Sequence, residues 1–367
     1  MSRGWTTSLR GAVPVVAVAV TLTAAGCEAS PADLMQHAAS TESPAAAGSA
    51  SPAHSPRTWM APLTGLPASG ARAAGRPAVA VAVSGSDPHG LGSADVVYEE
   101  LTSPLRYIAV FQSRADGSVG PVGQTRPMDG QALSVLHPLA AYDGGTPSFI
   151  RVLDASGVVD VGYASHPSLY RTAAPGPSVS TGQVQQAAPG TAPPQLFTYQ
   201  GSAVGDAPGF ASTGARRAAT LRITAPGQAA QVWTFEARTH SWRQTAGGPA
   251  VRVANIVVQD VPYKTVFLSR KLGLTTTSAR VVGSGPALIA SESAPAAGSS
   301  GTAATGTAAS DTAASGTAVW GTWSKPGLHG VTSYLDARNT PIGFQHGNTW
   351  VILAPPGTRA AISGGRA

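Results

Sequence analysis

The chain has 367 residues, of which 43% are hydrophobic and 11% charged, with 43 glycines, 30 prolines and a single cysteine. A charged fraction far below the ~25% of an average soluble protein, combined with this much Gly and Pro, favours strands, turns and loops over long helices. The formal charge of +6 is spread over isolated arginines with no run longer than Arg216-Arg217 or Arg270-Lys271 and no recognition motif. That excludes a nucleic-acid partner and suits mild attraction to anionic lipid or wall polymer.

The N-terminus reads as a lipoprotein signal over residues 1–26. Arg3 and Arg10 give a positive start, residues 11–22 an uncharged apolar run, and Ala24-Ala25-Gly26 small residues directly before Cys27. The run is shorter than the roughly 20 residues of a spanning helix. Cleavage before Cys27 leaves its thiol able to take a diacylglycerol by thioether linkage, and its amine a further acyl chain such as palmitate. Two or three chains, at about 0.8 kcal/mol per buried methylene, anchor firmly. Ala24 stands where the usual lipoprotein box has Leu, and the alternative is a plain signal peptide with an incidental cysteine. The expected address is the extracytoplasmic face of the cell membrane. With no second cysteine, no intramolecular disulfide can form.

Residues 27–60, rich in Ala, Ser and Pro, bury too little apolar surface to fold and are expected to form a disordered tether. Order is expected from about residue 62. Strands are predicted at 77–83, 95–101 and 107–112, a short helix between 128 and 141, and a second helix over 148–153 with Thr146 as N-cap and Pro147 in the first turn. This gives an N-terminal mixed α/β domain over 61–200. From 218 the helical period disappears. Strands are predicted at 219–224, 231–236, 255–261, 279–282, 287–290, 317–323, 333–335 and 349–353, giving a mostly antiparallel β domain over 218–356. The fold class is therefore α+β. Residues 291–316, almost entirely Ala, Gly, Ser and Thr, read as a disordered excursion between two hairpin strands. Lengthening such a loop costs only about 1.7 kcal/mol.

Standard catalytic signatures are missing, and no cofactor or metal is expected. Gly283-Ser284-Gly285 lacks the third glycine of a dinucleotide fingerprint and reads as a turn. His89, His137 and His166 are far apart and read as solvated loop positions. What remains is a polar concentration in the N-terminal domain: Asp95, Glu99 and Glu100, Arg106, then Gln124, Arg126 and Asp129, then Asp143-Gly144-Gly145. In an extended strand Asp95 and Glu99 share a face about 7 Å apart, and the Asp-Gly-Gly loop presents N–H groups towards an anion. The functional reading is a ligand cleft formed by Asp95, Glu99, Arg106, Arg126, Asp143, Gly144 and Gly145. The structural alternative has Asp95 capping a turn, Glu99 paired with Arg106 or Arg126, and the glycines making a tight turn.

At these residues the chain resembles the YerB family of bacterial lipoproteins, two-domain proteins of unknown function. The resemblance is carried by Pro-Leu-Thr-Gly-Leu-Pro (62–67), Arg-Pro-Ala-Val-Ala-Val (76–81), Ala-Asp-Val-Val-Tyr-Glu (94–99), Arg-Tyr-Ile-Ala-Val-Phe-Gln-Ser (106–113), Gly-Pro-Val-Gly-Gln-Thr-Arg-Pro (120–127) and Asp-Gly-Gly-Thr-Pro (143–147). It continues through Asn-Ile-Val-Val-Gln (255–259), Val-Val-Gly-Ser-Gly-Pro-Ala (281–287), Gly-Thr-Trp-Ser-Lys-Pro (321–326) and Gly-Asn-Thr-Trp-Val (347–351). It implies an exported, lipid-anchored protein and supplies no reaction. One departure stands out: relatives carry Ala-Pro-His-Asn-Leu-Tyr where this chain has Ala174-Pro175-Gly176-Pro177-Ser178-Val179.

Three functions remain open. The first is a lipid-anchored envelope binding or accessory protein whose partner is wall polymer or another envelope protein. The second is a cell-wall hydrolase with Asp95 or Glu99 as general acid/base. The third is a structural scaffold.

Overall fold

Residues 78–83 alternate Ala and Val, and the alternation separates two hydrophobic cores. The structure, a computed structural model, describes residues 58–85, 87–201, 214–292 and 316–364. All of these belong to one compact unit, residues 56–367.

In chain order, the N-terminal domain contains α1 (Ala71–Ala74), β1 (Val79–Ser84), β2 (Val96–Glu100), β3 (Arg106–Phe111), α2 (Pro127–Leu133), β4 (Leu139–Ala141), α3 (Pro147–Asp154), β5 (Val159–Asp160), β6 (Tyr170–Ala173), β7 (Gly176–Val179) and α4 (Thr181–Ala187). The C-terminal domain is all strand: β8 (Arg216–Arg217), β9 (Thr220–Thr224), β10 (Gln231–Glu236), β11 (Ser241–Ala246), β12 (Arg252–Val253), β13 (Asn255–Asp260), β14 (Tyr263–Ser269), β15 (Leu274–Ala279), β16 (Gly283–Glu292), β17 (Gly316–Lys325), β18 (Ser333–Leu335), β19 (Thr349–Ala354) and β20 (Arg359–Ser363).

The two domains share a sheet. Its order is β18-β17-β16-β13-β19-β2-β3-β1-β4-β5, with β8 also paired to β17. The junction is the parallel pair β19–β2, with Val351 opposite Tyr98. Strands on the N-terminal side are mixed: β1 runs antiparallel to β3 and parallel to β4. Most pairs on the C-terminal side are antiparallel, as in β13–β16 and β16–β17.

This sheet is buried on both faces, so β1 and most of β3 and β19 read as continuous apolar runs. Val79, Val81 and Val83, with Val97, Tyr107 and Trp350, face one core, which the five-stranded sheet β12-β11-β10-β9-β20 covers with Leu221, Ile223, Trp233 and Trp242. Ala80, Ala82, Val96, Ile108 and Val351 face the other, built with Met128, Leu133, Leu136, Leu153, Tyr199 and Phe344. Small alanines on β1 leave room for the α2–α3 layer.

Several expectations need correction. Leu139-Ala140-Ala141 is β4, not the end of a helix: its apolar triplet extends β1 in parallel. Gly283-Ser284-Gly285 is the start of β16, paired with Lys325, Ser324 and Trp323, not a turn. A Cβ at Gly285 would lie 2.9 Å from the Trp323 indole nitrogen, so this glycine admits a tryptophan rather than a chain reversal. The strand expected at 279–282 falls instead on the link between β15, which ends at Ala279, and β16, which begins at Gly283. Strands β11 and β15, broken by Ser, Thr and Arg, β14, whose Tyr263, Val266, Phe267 and Leu268 keep no two-residue period, and the short β20 are not revealed by pattern. The last of them lies beyond the expected boundary at 356 and pairs with β9.

The signal, Cys27, most of the tether and residues 293–315 of the expected excursion lie outside the described residues. The flanks of that excursion are paired strands, Glu292 opposite Gly316.

Candidate functional site

The cleft opens where β1 ends and the β2–β3 connection turns. It has a volume of about 390 Å³ and is lined by Ser84, residues 102–106, residues 121–124, Arg126, Asp143, residues 175–177 and, from the C-terminal domain, Thr276. Backbone bonds fix its walls: Ser84 N–H donates to Pro121 O (2.8 Å), Gly123 N–H to Ala82 O (2.8 Å) and Val122 N–H to Pro177 O (2.6 Å). The Ser103–Pro104, Gly120–Pro121 and Ala174–Pro175 peptides, all cis, border it.

Arg106, at the first position of β3, is built into one wall. Its guanidinium donates to both carboxylate oxygens of Asp129 (2.7 and 2.5 Å) and to Gln124 O (3.0 Å). Glu100, directly across the strand pair, lies 3.7 Å away. Burial disfavours the Arg106 cation, but Asp129 and Glu100 outweigh it and its pKa is raised. Asp129 also accepts from Thr125 Oγ1 (3.0 Å) and from the Arg126 N–H (3.0 Å) at the start of α2.

Arg126, by contrast, is an incompletely satisfied cation. Its Nη1 is buried without a hydrogen-bond partner. Burial first, and the neighbouring Arg106 second, lower its pKa. Asp143 enters the cleft after β4, its N–H held by Gly123 O (2.8 Å). No hydrogen bond or ion pair engages its carboxylate among the described residues. The cleft thus presents one cation and one anion with free valences.

Gly144 and Gly145 shape this corner rather than line it. Their φ values are +68° and +148°, and a Cβ at Gly145 would sit 2.8 Å from Thr125 Cγ2. Gly144 O accepts from the Thr125 N–H (3.0 Å), so the loop turns a carbonyl inward where an anion-binding N–H was expected.

Asp95 and Glu99 do not belong to the cleft, which corrects the expected grouping. Asp95 precedes β2 and accepts from the N–H groups of Gln112 (2.6 Å) and Ser113 (2.7 Å) and from Ser113 Oγ (2.5 Å). Burial raises its pKa against these bonds. Glu99 is fully buried between the two sheets, accepting from Trp350 Nε1 (2.7 Å) and Gln231 Nε2 (2.6 Å). Burial pushes its pKa up to about 7. The reason is strand parity: Glu99 and Glu100 point to opposite faces, and the register places Arg106 across from Glu100. The expected Glu99–Arg pairing is therefore a Glu100–Arg106–Asp129 cluster.

Gly176, the position of the departure noted in the sequence, lines the cleft. A Cβ there would approach Pro121 Cβ at 3.0 Å. Thr276 was missed because its strand has no apolar period. His89 and His137 are exposed. Among the described residues no three His, Cys, Asp or Glu side chains gather to hold a metal, and no helix is long and apolar enough to cross a membrane.

The shared sheet and the cleft beside it define an α+β protein of two domains. Residues 63–188 match the N-terminal domain, and residues 223–351 the C-terminal domain, of the DUF3048 proteins of unknown function. The chain belongs to this YerB-like family. The crystal structure of YerB protein from Bacillus subtilis is similar in fold, with a TM-score of 0.59 at 17% identity over 82% of this chain and 99% of that one. No curated protein matches the chain.

Proposed function

We propose that the protein is a lipid-anchored binding or accessory protein of the cell envelope, held through Cys27 on the extracytoplasmic face, and that its ligand enters the cleft beside Arg126 and Asp143. The observation that carries this reading is the contrast within one cavity. Arg106 is saturated by Asp129, while Arg126 retains a buried unpartnered Nη1 and Asp143 a free carboxylate. Unfilled polar valences in a preformed concave site favour a ligand that completes them. A sugar, peptide or wall fragment bearing both charge signs has that chemistry. The hydrolase alternative loses its named acid/base, since Asp95 and Glu99 are both buried and hydrogen-bonded away from the cavity.

The test is a titration of the chain from residue 28 onward, which contains the whole compact unit, with soluble muropeptides. Saturable binding without new products, weakened at least tenfold (about 1.4 kcal/mol) by either R126A or D143N, supports the reading. Product formation, or equal binding by both variants, contradicts it. The anchor is tested separately: C27A should move the full-length protein out of the membrane fraction, and unchanged fractionation would refute it.

A further inference from the structure

The strands β14 and β15 pair only with each other, as a two-stranded ribbon outside the large sheets. The ribbon is held at its base, and β14 is pinned once more near its far end. Tyr263 Oη donates to Leu353 O (2.7 Å) and accepts from the Leu101 N–H (2.9 Å), and Thr146 Oγ1 donates to Leu268 O (3.0 Å). Its far end is built unlike the rest of the surface. Leu272 is 69% exposed, the most of any large apolar residue among the described ones, and Leu274 and Phe267 are 52% and 43% exposed. Lys264, Arg270, Lys271 and Arg280 lie on the same ribbon, and residues 261–280 contain no Asp or Glu. None of the four cations has an acidic partner among the described residues; Arg270 instead lies over the Phe267 ring, 4.8 Å from its centroid.

We infer that the tip of this ribbon, residues 267–274, is a membrane-contact element that inserts its apolar side chains into the headgroup region of an anionic lipid surface while its basic residues meet the lipid charges. Exposed Leu and Phe beside Arg and Lys, with acid excluded over the whole ribbon, are complementary to that surface. Acidic lipid supplies the missing counter-charge, and the interface covers the apolar groups. The tip needs no acyl chain to act, so it is independent of Cys27. Because Thr276, two residues beyond Leu274, lines the cleft, docking would hold the cleft beside the lipid surface.

The chain from residue 28 onward has no cysteine, so L272C can carry a single environment-sensitive dye, with R238C, on the exposed turn between β10 and β11, as the control. Vesicles of equal parts phosphatidylglycerol and phosphatidylcholine should blue-shift the dye at 272 and leave the dye at 238 unchanged, while pure phosphatidylcholine should shift neither. In co-sedimentation, R270E/K271E should weaken partitioning at least about 25-fold, roughly fivefold for each basic residue lost, and F267S/L272S/L274S by about tenfold or more. Thermal unfolding should be unchanged in both, since all substituted positions are exposed. Raising the salt well above ~0.1 M, where the Debye length is already only about 10 Å, should release the wild type. The inference is overturned if the dye at 272 does not respond to anionic vesicles, or if both variants partition as the wild type does. A tip that docks on a protein instead would give that silent result.

Discussion

Two neighbouring glutamates in one strand have opposite fates. Glu100 lies opposite Arg106 on the face that leads to the cleft, within a cluster completed by Asp129. Glu99 points into the space between the sheets, where only the neutral donors of Trp350 and Gln231 reach it. The first cluster manages charge by pairing, and the second by making ionisation unfavourable. Burial leaves Glu99 with a pKa of about 7, and Glu100, despite Arg106, is also raised by burial. A run of acidic residues in sequence therefore does not identify one site, because period-2 geometry assigns alternate members to different chemistry.

The comparison is broken most severely at Asp129. D129N leaves Arg106 buried without its bidentate partner and should cost about 3–5 kcal/mol in urea unfolding. A loss below about 1 kcal/mol would mean Glu100 alone neutralises the cation.

The Glu99 side is sharpened by pH. Its folded pKa is about 7, against the ordinary glutamate value of 4.5. Its contribution to stability is therefore full below pH 4.5 and is lost as pH rises through 7. The stability of E99Q relative to wild type should rise by about 3 kcal/mol between acid and pH 8. Gln231 has a buried Oε1 without a partner, so its amide can reverse to meet the new side chain. A pH-independent difference would show that Glu99 does not titrate in this window.

A smaller effect tests the cleft corner. G145A places a Cβ 2.8 Å from Thr125 Cγ2 at φ +148° and should cost about 1–3 kcal/mol, read as a lowered unfolding midpoint. The smallest effect is at the ribbon: T146V removes the bond to Leu268 O and should cost about 1 kcal/mol, with faster amide exchange confined to residues 266–276.

Much of this architecture was legible in the sequence because both-face burial writes continuous apolar runs. The segments around β1, β3, β13 and β19 are legible for that reason, and that around β2 through its partial alternation. Thr146 and Pro147 marked the start of α3, though the Thr146 hydroxyl serves Leu268 rather than the helix. The strands of the ribbon keep no two-residue period: the apolar Tyr263, Val266, Phe267 and Leu268 fall on both faces, and most of the ribbon is exposed or half-buried. Within the candidate site, Arg106, Arg126 and Asp143, grouped in the sequence by their polar character, line one cleft. Asp95 and Glu99 were not separable from them by composition, since their destinations depend on register and on Gln231 and Trp350, more than a hundred residues away. Asp129, which decides that Arg106 is saturated and Arg126 is not, was visible as a residue but not as a partner.

The account turns on the cleft, and hydrogen exchange of the chain from residue 28, with and without a saturating muropeptide, tests it most directly. Protection confined to residues 102–106, 121–126, 143–145 and 175–177, and absent in R126A, is the predicted result. Protection elsewhere, or a map unchanged by R126A, would contradict it.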